Sequence, residues 1–183
     1  AEHLLRHEAR AQPGEVAIHH LTEQRPLATL SWQELGSQVR KLATRLRELG
    51  IQPGDRIVSY MPNVPETTVA MIATLAVGAV WSSAAPEFGT RTVIERFAQI
   101  EPRLIFLCDG YRFGGKGFER LSEAQQIIEA LPTLQHAVWF PFLHPEYPTP
   151  PMQDGLRWDA LFTGPEVPRE TFRYERVESD HPI

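Results

Sequence analysis

The chain has 183 residues, 42% of them hydrophobic and 22% charged, which fits an ordinary globular protein and neither a disordered nor a bilayer-spanning one. A formal net charge of −5 withholds the basic footprint needed by a partner such as nucleic acid or an anionic membrane surface. The single cysteine, Cys108, excludes an internal disulfide framework and suits a reducing compartment, the cytoplasm, while Arg6, His7, Glu8 and Arg10 interrupt any apolar leader.

In chain order, residues 2–11 read as a first helix. Val16, Ala17 and Ile18, then residues 27–30, flank the polar stretch Thr22-Glu23-Gln24-Arg25-Pro26 and predict a hairpin. Ser31 and Glu34 have the spacing of a capping box, in which the serine oxygen accepts an early helix amide and the glutamate reaches back. Trp32, Leu35, Val39, Leu42, Leu46 and Leu49 then step by three and four, giving one buried helical stripe that Gly50 and Pro53-Gly54 end. Residues 56–61 read as a strand. Asn63 and Pro65 open an apolar helix that Gly78 stops, and residues 79–82 read as the next strand. The apolar run over residues 69–81 is too short to cross a bilayer. Thr90 starts a helix facing inward through Val93, Phe97 and Ile100. Residues 104–108 form a compact apolar strand, Leu121, Ala124, Ile128 and Leu131 line a further helix, and residues 137–140 are the last clear strand. Strands alternating with helices imply an α/β fold: a layered, mostly parallel sheet with helices on both faces. Seven prolines between Pro141 and Pro168 predict an extended surface connection. We therefore expect an α/β portion over 1–140, a Pro-rich connection over 141–170 and a lead-in to a further segment over 171–183. The chain opens at Ala1 and stops at Asp180-His181-Pro182-Ile183 as a new strand would begin, which reads as a piece of a longer protein.

Ligands of open α/β sheets collect at the carboxyl ends of the strands, so three loops matter. Tyr60-Met61-Pro62-Asn63 reads as an ordinary helix start. Residues 81–89 carry Ser82 and Ser83 beside Trp81 and Phe88, either as a strand-to-helix turn or as part of a site. Residues 109–117 place Arg112 and Lys116 around Gly114-Gly115, where glycine amides and two cations could cradle an anion or simply form a solvated turn. The GxxxxGK[ST] spacing of a phosphate loop is absent, as are G-x-G-x-x-G and G-x-S-x-G. His3 and His7 share a helical spacing but no third metal ligand is in sight, so no metal site is expected. Cys108, inside an apolar strand, reads as inert packing.

With these elements placed, the order of segments resembles the N-terminal domain of the adenylate-forming acyl-CoA synthetases. Leu30-Ser31-Trp32-Gln33-Glu34-Leu35 is similar to that family's early L-[TS]-[YW]-x-E-L segment. Ile51-Gln52-Pro53-Gly54-Asp55-Arg56-Ile57-Val58 and Leu75-Ala76-Val77-Gly78-Ala79-Val80 match the two that follow. Within the family, Trp81-Ser82-Ser83-Ala84-Ala85-Pro86-Glu87-Phe88-Gly89 and Arg96-Phe97-Ala98-Gln99-Ile100-Glu101-Pro102 most resemble the branch that activates acetoacetate. Ala85 and Glu87 depart from it, where the branch has serine and aspartate. Acetate- and propionate-activating relatives are the nearest alternative. A standalone nucleotide- or protein-binding module without chemistry is the alternative from another class.

The resemblance implies a parent enzyme that uses acetoacetate, ATP with Mg2+, and CoA. Its Ser/Thr/Gly-rich phosphate loop, adenine-holding segments and catalytic lysine lie beyond this chain, so the missing remainder of the chain is its implied partner. This chain alone is then expected to hold no catalytic residue and no tightly bound cofactor. By the same resemblance, CoA contacts are implied at Phe88, Gly89, Arg112, Gly115 and Lys116.

Overall fold

A computed structural model describes residues 1–147 and 155–183; Pro148, Pro150 and Pro151 of the expected Pro-rich connection lie outside the described residues. The chain divides into two compact units. One comprises Ala1–Asp55, Val64–Val80 and Leu161–Ile183, the other Arg56–Asn63 and Trp81–Ala160.

In the first unit, β1 (Val16–His20) pairs antiparallel with β2 (Ala28–Ser31), as the flanking apolar runs require. Helix α1 (Trp32–Glu48) begins with the expected capping box: the Ser31 hydroxyl oxygen accepts from the Glu34 amide, and the Glu34 carboxylate accepts from the Ser31 amide at 2.8 Å. Leu35, Val39, Leu42 and Leu46 are buried along one stripe that packs on α2 (Pro65–Ala76). The start of α2 differs from expectation. Its N-cap is Val64, extended as a residue before proline must be, with Pro65 at the first helical position, so Asn63 caps nothing. Residues 2–11 also fall short of a helix, forming turns and one short 3-10 segment, Arg6–Ala9, because only Leu5 of their apolar side chains is buried. An ion pair between Arg40 and Glu8, both almost fully buried, ties that segment to α1, and the Arg40 Nε donates to the Val167 carbonyl at 2.8 Å.

The second unit carries the sheet. Its five strands are β3 (Arg56–Tyr60), β4 (Val80–Ala84), β5 (Leu104–Cys108), β8 (His136–Phe140) and the two-residue β9 (Leu156–Arg157), in the order β4-β3-β5-β8-β9. The β3–β5, β5–β8 and β8–β9 pairings are parallel, so the α/β fold with a parallel sheet flanked by helices is as expected. Every residue of β5 is buried, which explains its unbroken Leu-Ile-Phe-Leu-Cys run. One sheet face meets α3 (Thr90–Ala98) and α4 (Leu121–Glu129) through Val58, Ile105, Leu107, Val93, Phe97, Ala124, Ile127 and Trp139. An aromatic group of Trp81, Phe106, Phe140 and Trp158 accompanies the alternate positions of β5 and β8. Two segments depart from the sequence reading. Strand β4 runs on through Ser82 and Ser83, so those hydroxyls belong to a strand and the turn after it is shorter. The expected loop over 109–117 is a β-hairpin, β6 (Gly110–Phe113) with β7 (Lys116–Glu119).

Candidate functional site at the carboxyl edge of the sheet

The carboxyl ends of β3, β4, β5 and β8 all lie in the second unit and are joined by a set of polar contacts. After β4, Ala85-Pro86-Glu87-Phe88 closes a β-turn in which the Phe88 amide donates to the Ala85 carbonyl at 3.1 Å, and proline occupies the position whose φ it pre-sets. Gly89 follows as the N-cap of α3 with an ordinary φ of −63°. The turn is held from beneath by two donors. The Tyr60 hydroxyl, at the end of β3, lies 2.9 Å from the Pro86 carbonyl and 3.2 Å from that of Phe88. The Arg120 Nε donates to the same Pro86 carbonyl at 2.7 Å. Burial pushes the Tyr60 phenol up to about 12, so at neutral pH it stays a donor. The Phe88 side chain is 49% exposed.

Beyond β5, Asp109 is fully buried. Its Oδ1 accepts from the amides of Phe142 and Leu143 at 2.6 and 2.7 Å, and its Oδ2 accepts from the His144 amide at 2.6 Å. The loop after β8 is thereby fastened to the root of the hairpin. The Asp109 carbonyl accepts from the Arg120 amide at 2.7 Å, closing that root. The tip is a two-residue turn, Gly114-Gly115, with φ of 59° and 75°, the positive pair that an I′ turn needs and that glycine adopts without strain.

Register decides which way the tip side chains go. Tyr111 is opposite Phe118, and Phe113 opposite Lys116, on one face; Arg112 is opposite Gly117 on the other. Tyr111 and Phe118 stack at 5.1 Å, and the Arg120 guanidinium lies 5.1 Å from the Tyr111 ring centroid and 6.0 Å from that of Phe118. Lys116 and the 71% exposed Phe113 thus share the face on which Arg120 reaches toward the 85–88 turn. Arg112 shares the opposite face with Gly117, whose Cβ position would be 3.5 Å from Leu143. The structure therefore does not aim the two expected cations at one point. Both are exposed, and neither forms a hydrogen bond or ion pair among the described residues. Gly115 is accounted for by the turn itself.

Tyr60, Asp109 and Arg120 are residues that sequence reasoning missed. Each acts on a partner 26 to 35 positions away, and no local pattern marks that. Burial pushes the Cys108 thiol up to about 12, as inert packing requires. His3 faces Arg6 at 2.8 Å and His7 faces Glu15 at 2.6 Å, so the two imidazoles have separate partners. Hollows of about 410 and 500 Å3 open in the first unit, but their linings mix Arg6, Arg173 and Arg176 with Glu2, Glu8 and Glu175, and no set of one charge converges there. No helix among the described residues is long and apolar enough to cross a membrane.

In open parallel α/β sheets, ligands bind outside the carboxyl ends of the strands, where the loops described above lie. Residues 5–159 match the family model of AMP-binding enzymes, and the chain belongs to that family. It is 34% identical over 191 aligned positions to acetoacetyl-CoA synthetase of Rattus norvegicus, an alignment covering all of this chain and 27% of the relative. Malonamoyl-CoA synthetase vrtB of Penicillium aethiopicum is 32% identical over 160 positions, or 84% of this chain and 22% of that protein. The solved acetoacetyl-CoA synthetase of Streptomyces lividans superposes with a TM-score of 0.89 at 40% identity, over 98% of this chain and 26% of that one. The chain spans about a quarter of the length of these relatives.

Proposed function

We propose that this chain is part of an acid–thiol ligase that activates acetoacetate. In that reaction the carboxylate attacks the α-phosphate of Mg-ATP, forming an acyl-adenylate and releasing pyrophosphate. The CoA thiol then attacks the acyl carbon and AMP leaves with the phosphate oxygen. The observation that carries this reading is the near-complete superposition on the Streptomyces lividans enzyme. The choice of acetoacetate over acetate or propionate rests on the 81–89 segment, with the Penicillium relative a reminder that neighbouring enzymes take other acids.

The chain's own share of the work is on the CoA side. Gly89 has an unstrained backbone, and a Cβ there would meet nothing within 4 Å. No described atom fills the space a side chain would take, and besides serving as the N-cap of α3, glycine there offers close backbone approach by an outside group. Beside it, Phe88 is an aromatic surface for a base to stack on, and Lys116, on the Arg120 face of the hairpin, is an exposed ammonium with no partner among the described residues, suited to phosphate. These features fit CoA, which when bound supplies the thiol nucleophile. Arg112 and the Gly114-Gly115 turn complete the proposed contacts from the other face of the hairpin. Adenylate formation, in contrast, needs dense amide donors and cations around transferring phosphates. The chain carries no P-loop spacing for that task, so the fragment alone is expected to be inactive.

The test is acid-dependent pyrophosphate release from ATP, by this chain and by the protein encoded by its undivided source gene, across acetoacetate, acetate and propionate. Release by the longer protein with acetoacetate preferred is the expected result. Preference for acetate or propionate would overturn the substrate, and release by this chain alone would overturn the division of labour.

A further inference from the structure

The Arg120 guanidinium sits among the cations of the site, yet its donors are already committed. The Nε bonds the Pro86 carbonyl at 2.7 Å. One terminal nitrogen reaches the Glu119 carbonyl at 2.7 Å and Glu123 at 3.4 Å, and the other reaches the Tyr111 hydroxyl at 3.2 Å. These contacts occupy four of the five N–H groups, the side chain is only 18% exposed, and the guanidinium lies 5.1 and 6.0 Å from the centroids of the stacked Tyr111 and Phe118 rings. Little remains for a phosphate. The Pro86 carbonyl, for its part, accepts from Arg120 and from Tyr60, so both of its lone pairs are used.

We propose that Arg120 is a positioning residue: it locks the 85–88 turn, and with it Phe88 and Gly89, in the conformation that presents them to ligand, while touching no ligand itself. The proposal rests on the reading that this turn meets CoA, but its first consequence does not depend on CoA. The arginine joins three elements, the hairpin root, the start of α4 and the turn before α3, through one rigid planar group. Lysine could keep the charge but not the fork, since its single ammonium cannot reach Pro86, Tyr111 and Glu119 together. Tyr60 remains as a second donor to the same carbonyl, so loss of the arginine should loosen the turn without unfolding the sheet.

The experiment is amide hydrogen exchange on this chain, comparing wild type with Arg120→Lys, Arg120→Met and Tyr60→Phe. The Phe88 amide, bonded within the turn, is the reporter, and the amides of β5 are the control. About tenfold faster exchange at Phe88 in both Arg120 variants, with β5 changed by less than about twofold, is expected. Exchange at Phe88 that follows β5 in all three variants would overturn the proposal, because it would make Arg120 an ordinary contributor to global stability. Unchanged exchange at Phe88 in Arg120→Met would overturn it as well. Titration with CoA, on the longer protein encoded by the undivided source gene, is the second arm. Affinity about tenfold weaker in Arg120→Lys, with Lys116→Ala weakening it further when combined, supports positioning as distinct from charge. Full retention of CoA affinity alongside a loosened turn would overturn the ligand-presenting role. If wild type binds no CoA, the CoA reading of the turn fails and the presenting role fails with it, while the exchange arm still decides whether Arg120 holds the turn.

Discussion

The root and the tip of the β6–β7 hairpin are built on opposite principles. At the root the polar groups are committed: Asp109 accepts three amides, Arg120 closes the backbone and grips Pro86, and Gly110 lies under the Phe118 carbonyl. Five residues further on, the tip is two glycines with positive φ, an exposed phenylalanine and two cations without partners among the described residues. A rigid root fixes where the tip is, and an uncommitted tip keeps charge and aromatic surface available to something else. Mutations should therefore divide cleanly, with stability lost at the root and binding lost at the tip.

The largest effect is expected at Asp109. Replacing it by alanine leaves the amides of Phe142, Leu143 and His144 without their acceptor in a mostly buried place, a loss of roughly 3–5 kcal/mol. Urea melts of Asp109→Ala against wild type measure it, and a loss below about 1 kcal/mol would mean that water reaches those amides and that the root is not the closed structure described.

Gly110→Ala comes next. A Cβ there would lie 2.3 Å from the Phe118 carbonyl oxygen, which is backbone and cannot swing aside, so the hairpin must spread. A cost of about 2 kcal/mol or more is expected. Gly114→Ala, in open space at a φ of 59°, should cost only about 1 kcal/mol for its backbone conformation. Equal costs at 110 and 114 would erase the distinction between root and tip.

At the tip the comparison turns to binding. Arg112→Ala and Lys116→Ala should each alter stability by less than about 0.5 kcal/mol, being exposed and without a partner among the described residues. Because register puts Lys116 on the Arg120 face and Arg112 on the other, Lys116→Ala should weaken CoA binding about tenfold and Arg112→Ala distinctly less. Calorimetric titration of both variants in the longer protein checks this, and equal losses would show that Arg112 contributes as much from its face as Lys116 does from the Arg120 face.

How much of this was legible in the sequence follows the range of the interactions. The capping box of α1 is complete within Ser31 and Glu34, and the apolar run of β5 announces a strand buried on both faces, so both could be read directly. The hairpin could not. Its strands are four residues each and mostly exposed, the only apolar alternation is Tyr111 with Phe113, and Gly114-Gly115 between charges reads equally as a loop. Arg112 and Lys116 around Gly114-Gly115 stand out from the residues themselves as a possible anion cradle, but as CoA contacts Phe88, Gly89, Arg112, Gly115 and Lys116 are implied only by family resemblance. The residues that hold them in place did not come from it. Tyr60 reads as part of a strand end and helix start, Asp109 as the first residue of a loop, and nothing in the local pattern singles out Arg120. Their roles exist only once residues 86 and 142–144 arrive from elsewhere in the chain.

The smallest effect lies on the seam between the two regions, at His144. Its Nε2 is 2.6 Å from Glu119, on the second hairpin strand, and its Nδ1 is 3.2 Å from Glu146, while its own amide bonds Asp109. The hydrogen bond to Glu119 raises the imidazole above its ordinary value, with Glu146 adding to it. Folding thus favours the protonated ring. The contribution is fully present below the unfolded value of about 6.5 and fades as pH rises through the raised folded value. Both carboxylates are more than half exposed, so solvent screens the pair and the effect should be a small fraction of that at Asp109. Stability measured from pH 6 to about 8.5 should fall slightly in wild type, and that slope should flatten in His144→Gln, which keeps the backbone amide on Asp109. A slope of the same size in the variant would assign it to other groups and leave the root of the hairpin insensitive to pH in that range.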